Sequence, residues 1–293
     1  MLTTPTLQSM VRGTLSRGRQ HLEERFATAP PRTVRAGEVF AAAGGFRDAI
    51  CRLRTGWACQ YRELPNCRRV IVDVYLPGDL IGLDGLFRIR PLENVLALTL
   101  VEIATIDGDK ILSELLGCQS SALYTAWLLG RRQQRTDRLL TAISSLDARG
   151  RLAAMLLDFY NRLYARKLIA ATTYTMPLTQ QHIGEYLGLT VVHVNRVLRS
   201  LRSDGIALLK KNCLTIFDLE RLRHLARERK MSHNDHPPVD QLTAVKDTGV
   251  PSSNDRLVWA HALFGEMQRQ YVAGNSARHG ELLQELGKLL TPP

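Results

Sequence analysis

Between residues 34 and about 107 the chain reads as short runs of β type set apart by Gly and Pro. Val70, Val72, Val74 and Leu76 alternate with Ile71, Asp73 and Tyr75, which is the period of a strand with one buried face. That run stops at Leu76-Pro77-Gly78-Asp79, where Pro presets the first central position of a type II turn and Gly takes the one with positive φ. A second alternating run, Val95-Ala97-Thr99-Val101-Ile103, follows Pro91. Residues 51–54 and 57–62, split by Thr55-Gly56, predict a hairpin, and Leu64-Pro65-Asn66 turns the chain again. Many short strands at this spacing predict a sandwich or barrel-like β domain.

Beyond residue 108 the period becomes helical. Leu115, Ala122, Leu129, Thr136 and Ile143 stand seven apart, with Ala126, Gln133 and Leu140 between them. This predicts one long helix with a narrow seam, suited to pairing with a second copy of itself or to packing on its own β domain. Short helices follow up to about residue 230. A polar stretch after Met231 reads as a linker, and residues 256–271 and 281–290 as two short amphipathic helices. Residues 1–30 carry a weakly amphipathic run and end at Pro30-Pro31.

Charge sharpens this outline. The 293 residues have 39 Lys+Arg against 28 Asp+Glu, a net charge of +11, and eight of those eleven charges fall between residues 147 and 230. A basic excess confined to one segment is the electrostatic footprint of a polyanion binder. With 45% hydrophobic residues the chain can build a core in each of two domains, which excludes disordered and collagen-like classes. The five cysteines form no CxxC pair, no secretory leader opens the chain, and no run of 18 apolar residues occurs. Reduced thiols, a cytoplasmic location and no membrane partner are expected.

The chemistry lies in residues 178–205. Thr179 can cap a first helix with Ile183 and Leu187 on its buried side, and Gly188 sits where a tight inter-helix turn needs a left-handed residue. Thr190 can cap a second helix whose inner stripe is Val194, Val197, Leu198 and Leu201. Its other face presents Val191, Val192, His193, Asn195, Arg196, Arg199 and Arg202. Two such helices form a helix-turn-helix, whose second helix enters the major groove of DNA. Arg suits guanine, Asn suits adenine, and valine packs on a thymine methyl. Arg199 and Arg202, farther along, suit phosphates. Beyond Gly205, residues 206–209 and 214–217 flank Lys210-Lys211-Asn212, a hairpin with a basic tip like the wing of a winged helix. Thr179, Gln180, Lys210 and Lys211 complete the expected DNA-facing set.

The segment LTQQHIGEYLGLTVVHVNRVLRSLRSDGI resembles the helix-turn-helix of the Crp/Fnr family of bacterial transcription regulators. The resemblance continues backwards through LPGDLIGLDGL and DARGRLAAMLLDFYNRL and covers about residues 30–230. It implies an α+β fold: an N-terminal β-roll, jelly-roll-like, then a long dimerisation helix and a C-terminal winged helix-turn-helix. The corresponding boundaries are a leader at 1–30, a cyclic-nucleotide-binding-like roll at 31–108, the dimer helix at 109–146, the DNA-binding domain at 147–231, and a tail at 232–293. The resemblance also implies a homodimer on a pseudo-palindromic double-stranded DNA operator, with RNA polymerase as a further partner. The family's three base-reading positions fall on Val192, Asn195 and Arg196, where Val192 replaces the usual acid.

The effector pocket departs from the family. Gly78-Asp79 is taken to match the Gly-Glu of cyclic-nucleotide binders, but Pro91-Leu92-Glu93 stands where an Arg and a hydroxyl should hold the cyclic phosphate. Arg88 and Arg90 are the nearby substitutes. Binding of cyclic AMP is not expected. Nor is an N-terminal iron–sulfur cluster, since no cysteine precedes Cys51. Cys51, Cys59 and Cys67 read as strand and loop residues, and a thiol sensor would need an exposed cysteine of low pKa. GxxxxGK[ST], HExxH and GxSxG are all absent, so no enzyme is expected. The competing reading is a ligand-binding or scaffold roll whose helix-turn-helix contacts protein.

Overall fold

The computed structural model describes residues 7–44, 49–65, 67–87 and 92–227. In chain order these form α1 (Leu7–Thr28), β1 (Pro31–Val34), β2 (Val39–Ala41), β3 (Ala49–Thr55), β4 (Ala58–Glu63), β5 (Arg69–Tyr75) and β6 (Leu80–Ile81). A 3-10 turn (Leu83–Phe87), β7 (Asn94–Ala97) and β8 (Val101–Asp107) complete the roll. Helices α2 (Gly108–Gly117), α3 (Gln119–Ser145) and α4 (Ala148–Ala165) lead to β9 (Thr173–Thr175), α5 (Gln180–Leu187), α6 (Val191–Ser203), β10 (Ala207–Lys210), β11 (Cys213–Ile216) and α7 (Leu219–Leu225). The expected α+β architecture of roll, long helix and winged helix is what the chain adopts. The two amphipathic stretches of the tail lie outside the described residues.

The roll is two four-stranded antiparallel sheets, ordered β1-β8-β3-β6 and β2-β7-β4-β5. They close on a core that includes Val34, Leu53, Tyr75, Val95, Val101 and Ile103. The expected hairpin at Thr55-Gly56 does not form, because β3 pairs with β6 and β8 while β4 pairs with β5 and β7. Gly56 instead carries the chain from one sheet to the other at φ +81°, so close to β8 that a Cβ would sit 2.4 Å from the Leu100 carbonyl oxygen. The run from Val95 to Ile103 divides in the same way, β7 going to one sheet and β8 to the other. In a sandwich, strands adjacent in the chain can lie in opposite sheets.

Strand β5 corrects the simple alternation. Opposite Gln60 and Tyr61 the register steps from Asp73 to Ile71, leaving Val72 as a bulge. Ile71, Val74 and Leu76 therefore share the outer face, while Val70 and Val72 remain half-buried. With Trp57, Cys59 and Tyr61 they form an apolar outer surface that packs on Leu152, Leu156, Phe159 and Leu163 of α4 and Ile183 and Tyr186 of α5. Trp57 meets Phe159 edge-on, with ring centroids 5.4 Å apart.

Two further segments differ from the sequence reading. The expected single helix breaks at Cys118, which is extended (φ −132°, ψ 100°) between α2 and α3. The expected leader is a core helix: Leu22 and Phe26 of α1 are buried with Ile50, Leu83 and Ile111. Arg54 closes its C-terminus by donating to the carbonyls of Phe26, Ala27 and Ala29 at 2.7, 3.3 and 3.1 Å. Gly18 lets α1 lie directly on α3, since a Cβ there would come 1.9 Å from the Ser120 carbonyl oxygen.

At the edge of the roll–α4 contact sits a buried ionic clamp. Asp79 accepts from Arg162 and, at 2.5 Å, from Arg166, and Arg166 also donates to the Pro77 carbonyl at 2.7 Å. The type II turn is as expected, with Gly78 at φ +93° and Asp79 N donating to the Leu76 carbonyl at 3.0 Å. Burial acts to raise the Asp79 pKa, but the two guanidinium groups outweigh it and hold the carboxyl well below the usual carboxylate range. Asp79→Asn should lower the unfolding free energy by about 3 kcal/mol at pH 7, because it strands a buried guanidinium. A depressed carboxylate stabilises fully above its unfolded pKa, about 3.9, and loses that contribution as pH falls below it. Urea melts of native and variant protein should therefore differ by a constant amount from pH 7 to pH 5 and converge on further acidification.

Candidate nucleic-acid interface

Helices α5 and α6 are set by local chemistry. The Thr179 hydroxyl accepts from His182 N at 3.1 Å, and His182 Nδ1 accepts from Thr179 N at 3.4 Å, a closed capping box. The Thr190 hydroxyl accepts from His193 N at 3.2 Å and caps α6. Gly188 takes the left-handed conformation (φ 67°, ψ 35°) that ends α5. Gly184, which the sequence reading passed over, is equally demanding: a Cβ there would lie 2.5 Å from the Leu189 carbonyl oxygen. Its signal was its place four residues before Gly188, one helical turn inside the bend.

Val194, Val197 and Leu201 are buried and Leu198 half-buried, which leaves one face of α6 in solvent. Val192 is 80% exposed, and Val191, Arg196, Arg199 and Arg202 are exposed as well. Helical geometry places Val192, Arg196, Arg199 and Ser203 within an arc of about 60°. His193 and Asn195 flank that arc half-buried, and Asn195 Nδ2 donates to Gln180 Oε1 at 3.1 Å, joining the N-terminus of α5 to α6. Arg149 pairs with Asp204 and Arg221 donates to the Asp204 carbonyl at 3.0 Å, so the C-terminus of α6 is tied to both α4 and α7.

The wing forms as expected from β10 and β11, with Lys210 and Lys211 exposed at its tip. Lys211 and Asn212 both have positive φ (50° and 60°), the pattern of a two-residue hairpin turn. β9 adds a third strand beside β11 that the sequence reading did not find. Three residues are too few for a periodic signal.

The roll presents a different site from the one expected. Its cavity measures about 20 Å³, room for roughly one water, and is lined by Gln60, Tyr75, Gly82, Asp84 and Glu93 among others. Gly78 and Asp79 are not in it, because Asp79 is committed to the clamp on α4. Arg88 and Arg90 lie outside the described residues. Cys51 and Cys59 are buried, and burial pushes the Cys59 thiol up to about 12. Cys118 departs in the other direction. Burial raises it, but Ser120, Ser121 and His21, whose Nδ1 lies 3.2 Å from its sulfur, bring it down to about 6. Among the described residues no three His, Cys, Asp or Glu side chains gather as a metal site, and no helix is long and apolar enough to cross a membrane.

Known proteins place this geometry. Residues 150–225 match the Crp-like helix-turn-helix domain and residues 31–116 the cyclic nucleotide-binding domain. The chain is a transcription regulator of the Crp/Fnr type. It is 27% identical over 198 residues to the anaerobic regulatory protein of Haemophilus influenzae, covering 67% of this chain and 76% of that one. Over 181 residues it is 26% identical to the transcriptional regulatory protein btr of Bordetella pertussis, covering 61% and 73% respectively. FixK2 from Bradyrhizobium japonicum shares the fold at a TM-score of 0.62 and 21% identity, over 70% of this chain and all of that one.

Within this Crp/Fnr-type regulator, Gly184 decides whether α5 and α6 can meet at their angle. Gly184→Ala should lower the melting temperature by about 5 °C, on the order of 2 kcal/mol, and weaken DNA binding in proportion. Calorimetry with a parallel gel-shift titration checks both; an unchanged melt would show that the Leu189 carbonyl moves aside freely.

Proposed function

We propose that this regulator binds a pseudo-palindromic operator as a homodimer, its two α6 helices entering successive major grooves about 34 Å apart. One observation carries the reading: α6 buries one apolar face and turns Val192, Arg196 and Arg199 outward together. Arg196 is assigned to a guanine edge, Asn195 to the neighbouring base and Val192 to a thymine methyl. Thr179, Gln180, Thr190, Val191, His193, Arg199, Arg202, Lys210 and Lys211 are assigned to backbone positioning. The absence of an acid at Val192 gives a half-site that differs from the family's at one base pair. The seam of α3 supports the dimer: Ala126, Gln133 and Leu140 are exposed on one stripe at heptad spacing. Contact with RNA polymerase follows from the family.

The reading is tested by selecting bound DNA from a random pool and retitrating the selected site. Arg196→Ala should lose about 1–3 kcal/mol on that site and relax preference at one base pair per half-site. Arg199→Ala should weaken specific and random DNA alike and make the salt dependence shallower. A specificity ratio that Arg196→Ala leaves unchanged would overturn the assignment of base reading.

The roll gives a second expectation. A cavity of about 20 Å³ is far too small for a nucleotide, and among the described residues no arginine or lysine lines it to meet a cyclic phosphate. Calorimetric titration with 100-micromolar-range cyclic AMP, about the concentration at which a weak site would saturate, should give no heat beyond dilution. It should also leave operator affinity unchanged.

A further inference from the structure

Two polar residues of the cavity lining, Gln60 and Asp84, are both bonded to one arginine of the chain itself. Arg132, from the middle of α3, donates from Nη1 to both carboxylate oxygens of Asp84, at 3.0 Å each, and from Nη2 to Gln60 Oε1 at 2.7 Å. Its Nε lies 3.7 Å from Asp73 Oδ2. Gln60 Oε1 is held in place by the buried Tyr75 hydroxyl, which donates to it at 2.7 Å. The acceptors Gln60 and Asp84 come from β4 and the 3-10 turn and take separate Nη atoms, with Asp73 of β5 as an ion-pair neighbour of Nε, a spread over three nitrogens that a single ammonium nitrogen cannot cover.

We propose that Asp84, Gln60 and Asp73 form a guanidinium-binding site in the roll, filled in cis by Arg132, and that this occupancy anchors α3. Position on α3 explains the anchoring. Arg132 and Arg135 share one face of the helix with Leu128 and Leu139, and Arg135 reaches Asp73 at 3.4 Å. Gln133 and Thr136 stand on the exposed side at the same level. Apolar contacts tolerate rotation of a helix about its axis, whereas a guanidinium whose Nη1 and Nη2 are held by residues of two different elements does not. Burial acts to lower the pKa of Arg132, and the nearby Tyr75, Asp84 and Asp73 more than reverse it, so the cation persists at any accessible pH.

The proposal concerns the roll and stands apart from the assignment of DNA contacts. Arg132→Ala should empty the site, and methylguanidinium is the probe that should refill it. Titration calorimetry should show one methylguanidinium per chain for the variant and none for the native protein. At a tenfold excess over its Kd the probe should raise the variant's melting temperature by about 3 °C. Methylammonium, with the same charge and no fork, should bind at least tenfold more weakly, and Arg132→Ala combined with Asp84→Asn should abolish binding. Amide exchange between Leu128 and Leu139 should speed up at least tenfold in Arg132→Ala and slow again with the probe. Failure of the variant to bind methylguanidinium, or equal binding by methylammonium, overturns the site, and binding without restored protection overturns its anchoring role. Should Arg132→Ala not fold, nitrogen-15 spectra of the native protein decide: a forked guanidinium gives separate, slowly exchanging Nη signals, lost in Arg132→Lys. A single averaged signal would overturn the proposal.

Discussion

The outer face of the β4–β5 pair is apolar, and everything downstream is arranged to cover it. Trp57, Cys59, Tyr61, Ile71, Val74 and Leu76 point away from the roll's own core and into α4 and α5. At about 25 cal/mol per Å² of apolar area, leaving six such side chains in water would cost more than a marginally stable domain can spare. The winged helix therefore packs onto the roll through one continuous hydrophobic cluster. Phe159 links the layers, edge-on to Trp57 on one side and stacked with Tyr186 at 6.2 Å on the other. Because α5 is seated on this cluster, α6 is left on the far side with its charged face outward.

How much of this was legible in the sequence depends on whether the deciding contact is local. The helix-turn-helix was readable to the residue because Thr179, Gly188 and Thr190 act on amides within a few positions of themselves. The type II turn at Pro77-Gly78 was readable for the same reason. Strand pairing was not. Thr55-Gly56 has the composition of a hairpin turn, yet what Gly56 answers to is the Leu100 carbonyl oxygen, forty-odd positions away in sequence. The bulge at Val72 is likewise decided by β4, and it moved the buried face from the Val70–Val72 pair to Ile71, Val74 and Leu76.

Function was legible unevenly on the same grounds. A recognition helix declares itself by which residues it leaves unburied, and that pattern is periodic in the sequence. The roll's polar interior has no period, because its parts come from β4, β5, the 3-10 turn and α3. Asp79 was misplaced by motif matching, since Gly78-Asp79 resembles a ligand-binding pair. Only the arginines of α4, some eighty residues on, show that the carboxylate serves the domain contact. Arg162 and Arg166 carried a faint signal: they stand four apart at the C-terminal end of α4, and Arg162 falls among its buried Leu, Met, Phe and Tyr residues.

Three roll carboxylates, Asp73, Asp79 and Asp84, meet four arginines, two on α3, one on α4 and one, Arg166, at the C-cap of α4. Burying such pairs gains little stability over apolar residues of the same size, because the desolvation of both charges offsets their attraction. Their effect is directional. A hydrophobic face can slide or rotate on its partner at small cost, but an arginine that donates at once to a carboxylate and to a second group fixed elsewhere in the roll cannot. The apolar cluster supplies the free energy that brings the helices to the roll, and the Asp–Arg pairs choose the register at which they stop. All three carboxylates lie between residues 73 and 84, the stretch that leaves β5, makes the Pro-Gly turn and borders the cavity. The same twelve residues thus orient both the helix with the exposed heptad stripe and the helix that leads into the DNA-binding domain. Asp84 of the cavity wall is tied through Arg132 to α3, and Asp79, five residues earlier in the chain, is tied through Arg162 to α4.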